Sequence, residues 1–430
     1  MICTVSMAMT PRLRAMTDAV RALYDRNRQR GFAEWCRREY DFVCPSMGTY
    51  PFQWFWDSCF HAVALAHFDI ERSRIEMRSL LANQQPDGFV AHVTFWQRER
   101  FEELLSTYAI AYRTPYLSDC IQPPVLAEAV AAGAQGPGGD EYLRDILPKV
   151  RRYFDWLDAM RDPDRDGLMA TLQPDESGLD HTPKYDHYLG VSGAVLADYT
   201  AAWERVAGPY ATVQREHARM FALDRFVDED VFVNSIYAEN QRVLGDLLER
   251  IGDGVGAHEM RTRAAQTTAA IVNKCFDDEA GLFFDLAGEG ERMLKVNTVS
   301  CLVPIALPDL PKPQADALIR HIEDPAEYAA PYPVPSVAMN EPSYLIPTAE
   351  NKLVWRGPTW INANWYIARG LRRHGRPDLA RHIEDRSASL VEGDGFREYY
   401  DPQTGQGFGA RDFSWTALAL DLLATHEADA

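Results

Sequence analysis

Positive charge is scarce in this chain of 430 residues: 44 Lys and Arg face 63 Asp and Glu, a formal net charge of −19. Nucleic acid and anionic membrane surfaces are bound through basic patches, so neither is expected as a partner. An anionic small molecule stays open, because it needs only one or two local cations. Cysteine is sparse too. Cys3, Cys36, Cys44, Cys59, Cys120, Cys275 and Cys301 are odd in number, scattered, and contain no CxxC pair. A disulfide framework and a structural zinc are both disfavoured, and a reducing compartment, the cytoplasm, fits better. No apolar run approaches transmembrane length. The mildly apolar first ten residues have no basic segment before them and no cleavage-like site after, so a soluble chain without a leader is expected.

Cofactor and metal signatures are missing as well. There is no GxGxxG or GxxxxGK[ST] loop, and Gly133–Gly139 has neither the spacing nor a preceding strand. No GxSxG elbow occurs. His258-Glu259 does not continue to HExxH, and His181 and His187 have no third ligand at a recognisable spacing. Asp162-Pro-Asp164-Arg-Asp166-Gly167 begins like a calcium loop. Its twelfth position is Gln173 and Pro174 follows, so a plain acidic turn is expected. No cofactor and no metal are expected. No low-complexity tract or Gly/Ser linker divides the chain, which reads as a single domain over 1–430.

What is present is apolar and aromatic: 46% hydrophobic residues, with 10 Trp, 19 Tyr and 19 Phe, ample for a large core. Apolar residues recur at helical spacing over 11–30, where Leu13, Met16, Val20 and Leu23 share a face. Helices are also expected at 59–68, capped by Asp57 or Ser58, and at 71–84. Further ones fall at 124–132, 140–161, 189–206, 210–222, 233–251, 257–275, 312–323, 360–374, 376–391 and 412–426. Strand-like alternation is confined to short pieces such as Leu282–Leu286. About a dozen helices in consecutive antiparallel pairs describe an all-α toroid, the (α/α)6 barrel, with short β pieces in its loops. A long solenoid would show a period of roughly 33 to 47 residues, and none is found.

Two loops carry the chemistry. The first, Glu176-Ser-Gly-Leu-Asp180-His-Thr-Pro-Lys-Tyr-Asp186, gathers carboxylates, glycine and proline without periodicity. The second, Phe396-Arg-Glu398-Tyr-Tyr-Asp401 through Gly409, sets Glu398 between glycines and aromatics, where desolvation raises a carboxyl pKa. Carboxylates far apart in sequence serve as acid and base where the fold brings their loops together, as glycosidic bond cleavage requires. Trp54, Trp56, Phe89, Phe95, Trp96, Trp355, Trp360, Trp365, Tyr399 and Trp415 lie in or beside such loops, and ring faces stack on sugars. Taken one at a time, each is as well read as a core aromatic at a helix end. An epimerase using histidines, or a non-catalytic sugar-binding protein, are the rival readings.

Six motifs then occur in order: Trp56-Asp57-Ser58, Gln84-Gln-Pro-Asp-Gly88-Phe, Gln122-Pro-Pro124, Ser177-Gly-Leu-Asp180, Arg356-Gly-Pro-Thr-Trp360 and Glu398-Tyr-Tyr-Asp401. From Trp54 to Trp415 the chain resembles glycoside hydrolase family 63 and, more distantly, the trehalases of family 37. It looks most like the bacterial mannosylglycerate and glucosylglycerate hydrolases. The resemblance implies an (α/α)6 barrel and an inverting α-glycosidase for a small sugar substrate, with a neutral disaccharide or oligosaccharide as the alternative. It makes Asp180 the general acid and Glu398 the general base. It sets Trp56, Asp57, Gln122 and Trp360 around the −1 sugar, with Arg356 and Asn364 beside it. Two departures flank the acid: His181-Thr-Pro-Lys184 stands where the family has Asn-Ser-Pro-Arg, and Asp175 stands where a Trp precedes the Glu. A glycerate aglycone would need a cation, and Arg113, Lys184, Arg356 and Arg411 are the loop candidates. Whether the chain forms a homo-oligomer is left open.

Overall fold

The computed structural model describes residues 9–102, 105, 111–191, 195–345, 348, 350 and 352–428, without the side chain of Arg113. Its ring helices are, in chain order, α1 (Pro11–Arg26), α2 (Phe55–Leu65), α3 (Ile70–Leu80), α4 (Leu126–Gly133), α5 (Gly139–Arg161), α6 (Val231–Arg250), α7 (Gly254–Ala270), α8 (Val299–Ala306, a 3-10 helix), α9 (Lys312–Glu323), α10 (Ile361–Arg373), α11 (Pro377–Asp394) and α12 (Leu418–Ala428).

The apolar pattern sorts them into two rings. Every residue of α2 and of α8 is buried, as are Val231–Gln241 of α6 and Ile361–Ala368 of α10. A helix buried on all faces belongs inside. The even-numbered helices pack in sequence, α2 on α4, then α6, α8, α10 and α12, and α12 returns to α2. That closes the inner ring of an (α/α)6 barrel. The odd-numbered helices are amphipathic and lie outside. In α1 only Met16, Thr17, Val20, Leu23 and Tyr24 are buried, one stripe at helical spacing. Polar side chains on the inner helices are tied to each other, as burial demands. Glu128 of α4 accepts from Asn240 (2.9 Å) on α6 and from Tyr366 (3.0 Å) and Arg369 (2.5 Å) on α10.

Antiparallel pairing makes all the inner helices run one way. The connections from each outer helix into the next inner one therefore meet at one end. Trp54–Asp57, Gln122, Trp355–Trp360 and Phe413–Trp415 all sit on those connections or the first turns that follow. Asp180 lies on the connection from α5 to α6, and Glu398 on that from α11 to α12.

Local chemistry moves several expected boundaries. The helix expected over 59–68 starts at Phe55, with no side-chain cap at Trp54, so Asp57 lies inside its first turn and caps nothing. The first helix stops at Arg26, and Arg28–Ala33 pairs antiparallel with Arg38–Val43, which buries Phe42 and Val43. The helix expected over 189–206 begins only at Leu196 and runs to Ala207: Leu189 ends the short turn Asp186–Leu189, Gly190 follows in left-handed backbone (φ 65°), and 192–194 lie outside the described residues. The helix expected over 210–222 breaks into the 3-10 turn Gly208–Val213 and the short His217–Phe221. Gln214 and Arg215 between them adopt left-handed backbone (φ 57° and 53°), which no α-helix continues through. The piece Leu282–Leu286 splits into Leu282–Phe283, paired with Phe276–Asp277, and Leu286–Ala287 in a separate sheet. No expectation covered α8, whose Pro304 argues against a helix.

Candidate active site

Glu398 stands in a two-stranded hairpin, Arg397–Tyr400 against Gly407–Arg411, whose register shifts between Arg397 and Tyr399. A bulge re-aims the side chain it carries. Gly409 on the facing strand has φ +68°, and a Cβ there would lie 2.4 Å from Glu398 Oε2. Only glycine leaves room for the carboxylate. That carboxylate accepts the backbone N–H of Ala410 (2.8 Å) on Oε2 and the Tyr50 hydroxyl (3.2 Å) on Oε1. Thr359 exchanges both backbone hydrogen bonds with Tyr400, which sets the neighbouring Trp360 beside the hairpin.

The Asp180 loop is held from two sides. Glu176 and Arg161 are both 0% exposed and form two hydrogen bonds of 2.6 Å. Glu176 also accepts the backbone N–H groups of Ile121 (3.1 Å) and Leu172 (2.6 Å), joining this loop to the segment that bears Gln122. On the far side, Arg356 donates to the carbonyl of His181 (2.9 Å) and pairs with Asp186. Gly178, at φ +69°, lies flat on Trp56: an added Cβ would come within 2.5 Å of the indole.

These loops enclose a cavity of about 290 Å³. Asp180, Glu398, Trp56, Asp57, Gln122 and Trp360 all line it, with Tyr50, Trp54, Trp203, Trp355, Phe413 and Trp415 completing an aromatic wall. Trp355 stacks on Trp360 at 4.1 Å, and Trp415 meets Trp56 edge-on at 4.8 Å. Gln122 receives the backbone N–H of Trp56 on Oε1 (3.1 Å), and its Nε2 makes no hydrogen bond among the described residues. Phe89, Phe95, Trp96, Trp365 and Tyr399 do not line the cavity and belong to the core.

Two of the eight residues named from sequence do other work. Arg356 stands behind the Asp180 loop and fixes it. Asn364 is fully buried on α10. Its amide accepts from Val334 N (2.9 Å) and donates to Pro333 O (2.8 Å) and Ser387 Oγ (2.9 Å), so it holds backbone rather than lining the cavity. Lys184 is buried between Asp230 (2.7 Å) and Asp285 (2.8 Å) and has no charge to spare. Arg411 lies outside the cavity, and the Arg113 side chain lies outside the described residues. Trp203 gave no signal in sequence, because it sits within a helical pattern. Tyr50 was readable only as part of an aromatic loop.

Among the described residues the lining holds four carboxyl groups, Asp57, Asp175, Asp180 and Glu398, and no Lys or Arg. Asp180 is exposed on its cavity side, yet the surrounding walls desolvate it, and that pushes its carboxyl up to about 6. Burial pushes Glu398 up to about 7, against its two hydrogen bonds. Asp57 and Asp175 are raised well above the usual carboxylate range. Burial is the main cause for both. Glu398 and Glu76 add to it at Asp57, and Asp180 and Glu176 at Asp175. Burial lowers His181 to about 4, so this imidazole is neutral.

Among the described residues two carboxylate clusters lie apart from the cavity, and each already contains a lysine ammonium. Lys274 pairs with Asp166 and with Glu291 (2.7 Å) beside Asp164 and Glu229, and Lys184 occupies the group Asp228, Asp230 and Asp285. In the Asp162 turn, the Asp162 carboxylate accepts the backbone N–H groups of Asp166 and Gly167, both at 3.1 Å.

Residues 50–416 match the mannosylglycerate hydrolase MGH1-like glycoside hydrolase domain. A mannosylglycerate hydrolase of Thermus thermophilus is 31% identical over 88% of this chain and 96% of its own length. A glucosylglycerate hydrolase of Mycolicibacterium hassiacum is 26% identical over 86% of this chain and 91% of its own. The crystal structure of a family 63 mannosylglycerate hydrolase from Thermus thermophilus, in complex with Tris and D-glycerate, superposes with a TM-score of 0.84. It is 28% identical and covers 95% of this chain and 100% of that one. With the barrel, the paired carboxylate loops and a match over most of its length, the chain belongs to the MGH1-like glycoside hydrolases of family 63.

Proposed function

We propose that this glycoside hydrolase cleaves mannosylglycerate or glucosylglycerate with inversion at the anomeric carbon, with Asp180 as general acid and Glu398 as general base. The observation that carries the reading is that these two carboxyl groups, on separate loops, line one aromatic-walled cavity. Inversion needs one of them protonated to assist the leaving oxygen and the other ionised to activate water on the opposite face of the sugar. Both are pushed into the near-neutral range, at about 6 and about 7, so between those values the pair shares one proton. Taken singly, those values run opposite to the assigned roles. The roles follow from the place of each carboxylate in the family motifs. Glu398 accepts from Ala410 and Tyr50, which favours its ionised form, whereas the Asp180 carboxyl accepts none among the described residues.

Trp56 and Trp360 offer ring faces to the −1 sugar, while Asp57 and the free Nε2 of Gln122 serve its hydroxyls. A cavity of about 290 Å³ suits one hexose with a three-carbon aglycone better than a longer saccharide. The names of the relatives at 26–31% identity support the glycerate aglycone. We further take residues 1–430 as one catalytic unit and the cytoplasm as its compartment, in keeping with the free thiols of Cys36, Cys44, Cys59, Cys120, Cys275 and Cys301. No helix among the described residues is long and apolar enough to cross a membrane.

One observation favours a second reading, a neutral α-glucoside: the described lining offers an anionic aglycone no Lys or Arg. A panel of α-mannosylglycerate, α-glucosylglycerate and neutral α-disaccharides, with released sugar and D-glycerate measured, decides between them. The proposal expects turnover of at least one glycerate glycoside. Cleavage confined to the neutral compounds would replace it.

A further inference from the structure

Asp175 lines the cavity five residues before the acid, in the 3-10 turn Pro174–Ser177. Its Oδ1 is buried without a hydrogen-bond partner, and the carboxyl takes part in no ion pair among the described residues. The groups around it are Glu176 and Asp180 on its own loop and Asp119 and Cys120 on the segment before Gln122. The cations nearby are engaged: Arg161 with Glu176, and Arg215 with Asp119 at 2.8 Å. A carboxyl group that is half-buried, with no cation and no side-chain donor among the described residues, is costly to ionise. Burial and the neighbouring carboxylates raise Asp175 well above the usual carboxylate range, against its own backbone N–H, and this favours the protonated acid. It then carries an O–H that the protein uses for nothing else.

Its position assigns that donor to one half of the substrate. Asp57 is close enough to Glu398 to feel its charge, and Asp175 is likewise close to Asp180. The acid stands at the glycosidic oxygen and the base on the opposite face of the sugar. Asp175 therefore stands on the leaving-group side.

We propose that the Asp175 carboxyl is the group of this chain that receives the glycerate carboxylate, donating its O–H to an oxygen of the aglycone. This rests on the glycerate reading above and deepens it: recognition of the anion falls to a carboxylic acid in a cavity whose described lining has no Lys or Arg. An O–H to carboxylate hydrogen bond is charge-assisted, short and strong. No bond forms or breaks at Asp175, so it is a specificity residue and not a catalytic one.

The test is steady-state kinetics of wild type, Asp175→Asn and Asp175→Ala on the glycerate glycoside and on an aryl α-glycoside with a neutral aglycone. Asp175→Ala is expected to raise KM for the glycerate glycoside on the order of tenfold or more, with kcat and the aryl substrate changed far less. Asp175→Asn keeps a donor without a titrating proton. It is expected to hold KM near wild type and to remove the rise in KM that wild type shows toward alkaline pH, where the aspartate ionises and repels the anion. An unchanged KM in Asp175→Ala, or an equal rise for both substrates, overturns the assignment while leaving the glycerate reading intact. If the wild type cleaves the aryl glycoside and no glycerate glycoside, both fall together.

Discussion

Replacing Gly409 by alanine displaces the proposed base without substituting it. The left-handed backbone at φ +68° costs a residue with a Cβ about 1–2 kcal/mol. The new Cβ would lie 2.4 Å from Glu398 Oε2 and 2.7 Å from Glu398 Cβ, whereas ordinary contact begins near 3.4 Å. Glu398 must therefore retreat by about 1 Å, and a misplacement of that size costs on the order of 100-fold in rate. The water that Glu398 activates loses its alignment, while the sugar-binding walls at Trp56 and Gln122 are untouched. The expected result is a kcat lower by about two orders of magnitude with KM nearly constant, and a Tm lower by only a few degrees. The assay is initial-rate kinetics on the glycerate glycoside beside thermal unfolding. Adding Gly409→Ala to Glu398→Gln should cost little more than Glu398→Gln alone, since both remove one function. A Gly409→Ala enzyme with kcat within about twofold of wild type would refute the reasoning, because the hairpin would then not be what aims the base.

Two further outcomes follow from the same site. The pH profile of kcat/KM should be a bell with limbs at about 6 and about 7, rising as the first proton leaves the pair and falling as the last one does; a profile flat across that interval contradicts the shared proton. Arg161→Met leaves Glu176 in the interior without its cation, which should cost about 3–5 kcal/mol in denaturant unfolding, and Arg161→Met with Glu176→Leu should recover part of it. A loss below about 1 kcal/mol would mean that water reaches the pair.

The ring was legible because the physics that builds it is local. About a dozen stretches of helical apolar spacing in consecutive pairs indicated the barrel, though not which helices line its inner ring. Boundaries failed where local pattern was outvoted. Pro304 hid α8, and left-handed backbone at Gln214 and Arg215 broke a stretch whose apolar spacing read as one helix. The two carboxylates stood out because glycine and proline mark loops, and such loops on a barrel gather at one end. The residues that support them were less visible. Asn364, set beside the −1 sugar by the family resemblance, instead satisfies the backbone at Pro333 and Val334. Lys184, four residues from Asp180, looked like a partner for the aglycone and instead pairs with Asp230 and Asp285, far off in sequence. Nearness along the chain says little about the direction of a side chain once a turn such as Pro183–Tyr185 intervenes.

The central claim is inversion at the anomeric carbon by Asp180 and Glu398, and proton NMR of the first sugar released reads it directly. From an α-linked glycosylglycerate, signals of the β-anomer should appear first, with the α-anomer growing in only as the free sugar mutarotates. Asp180→Asn should abolish release of either anomer from this substrate. An α-anomer formed first would mean retention through a covalent intermediate, and the assignment of Glu398 as a base acting on water would be wrong.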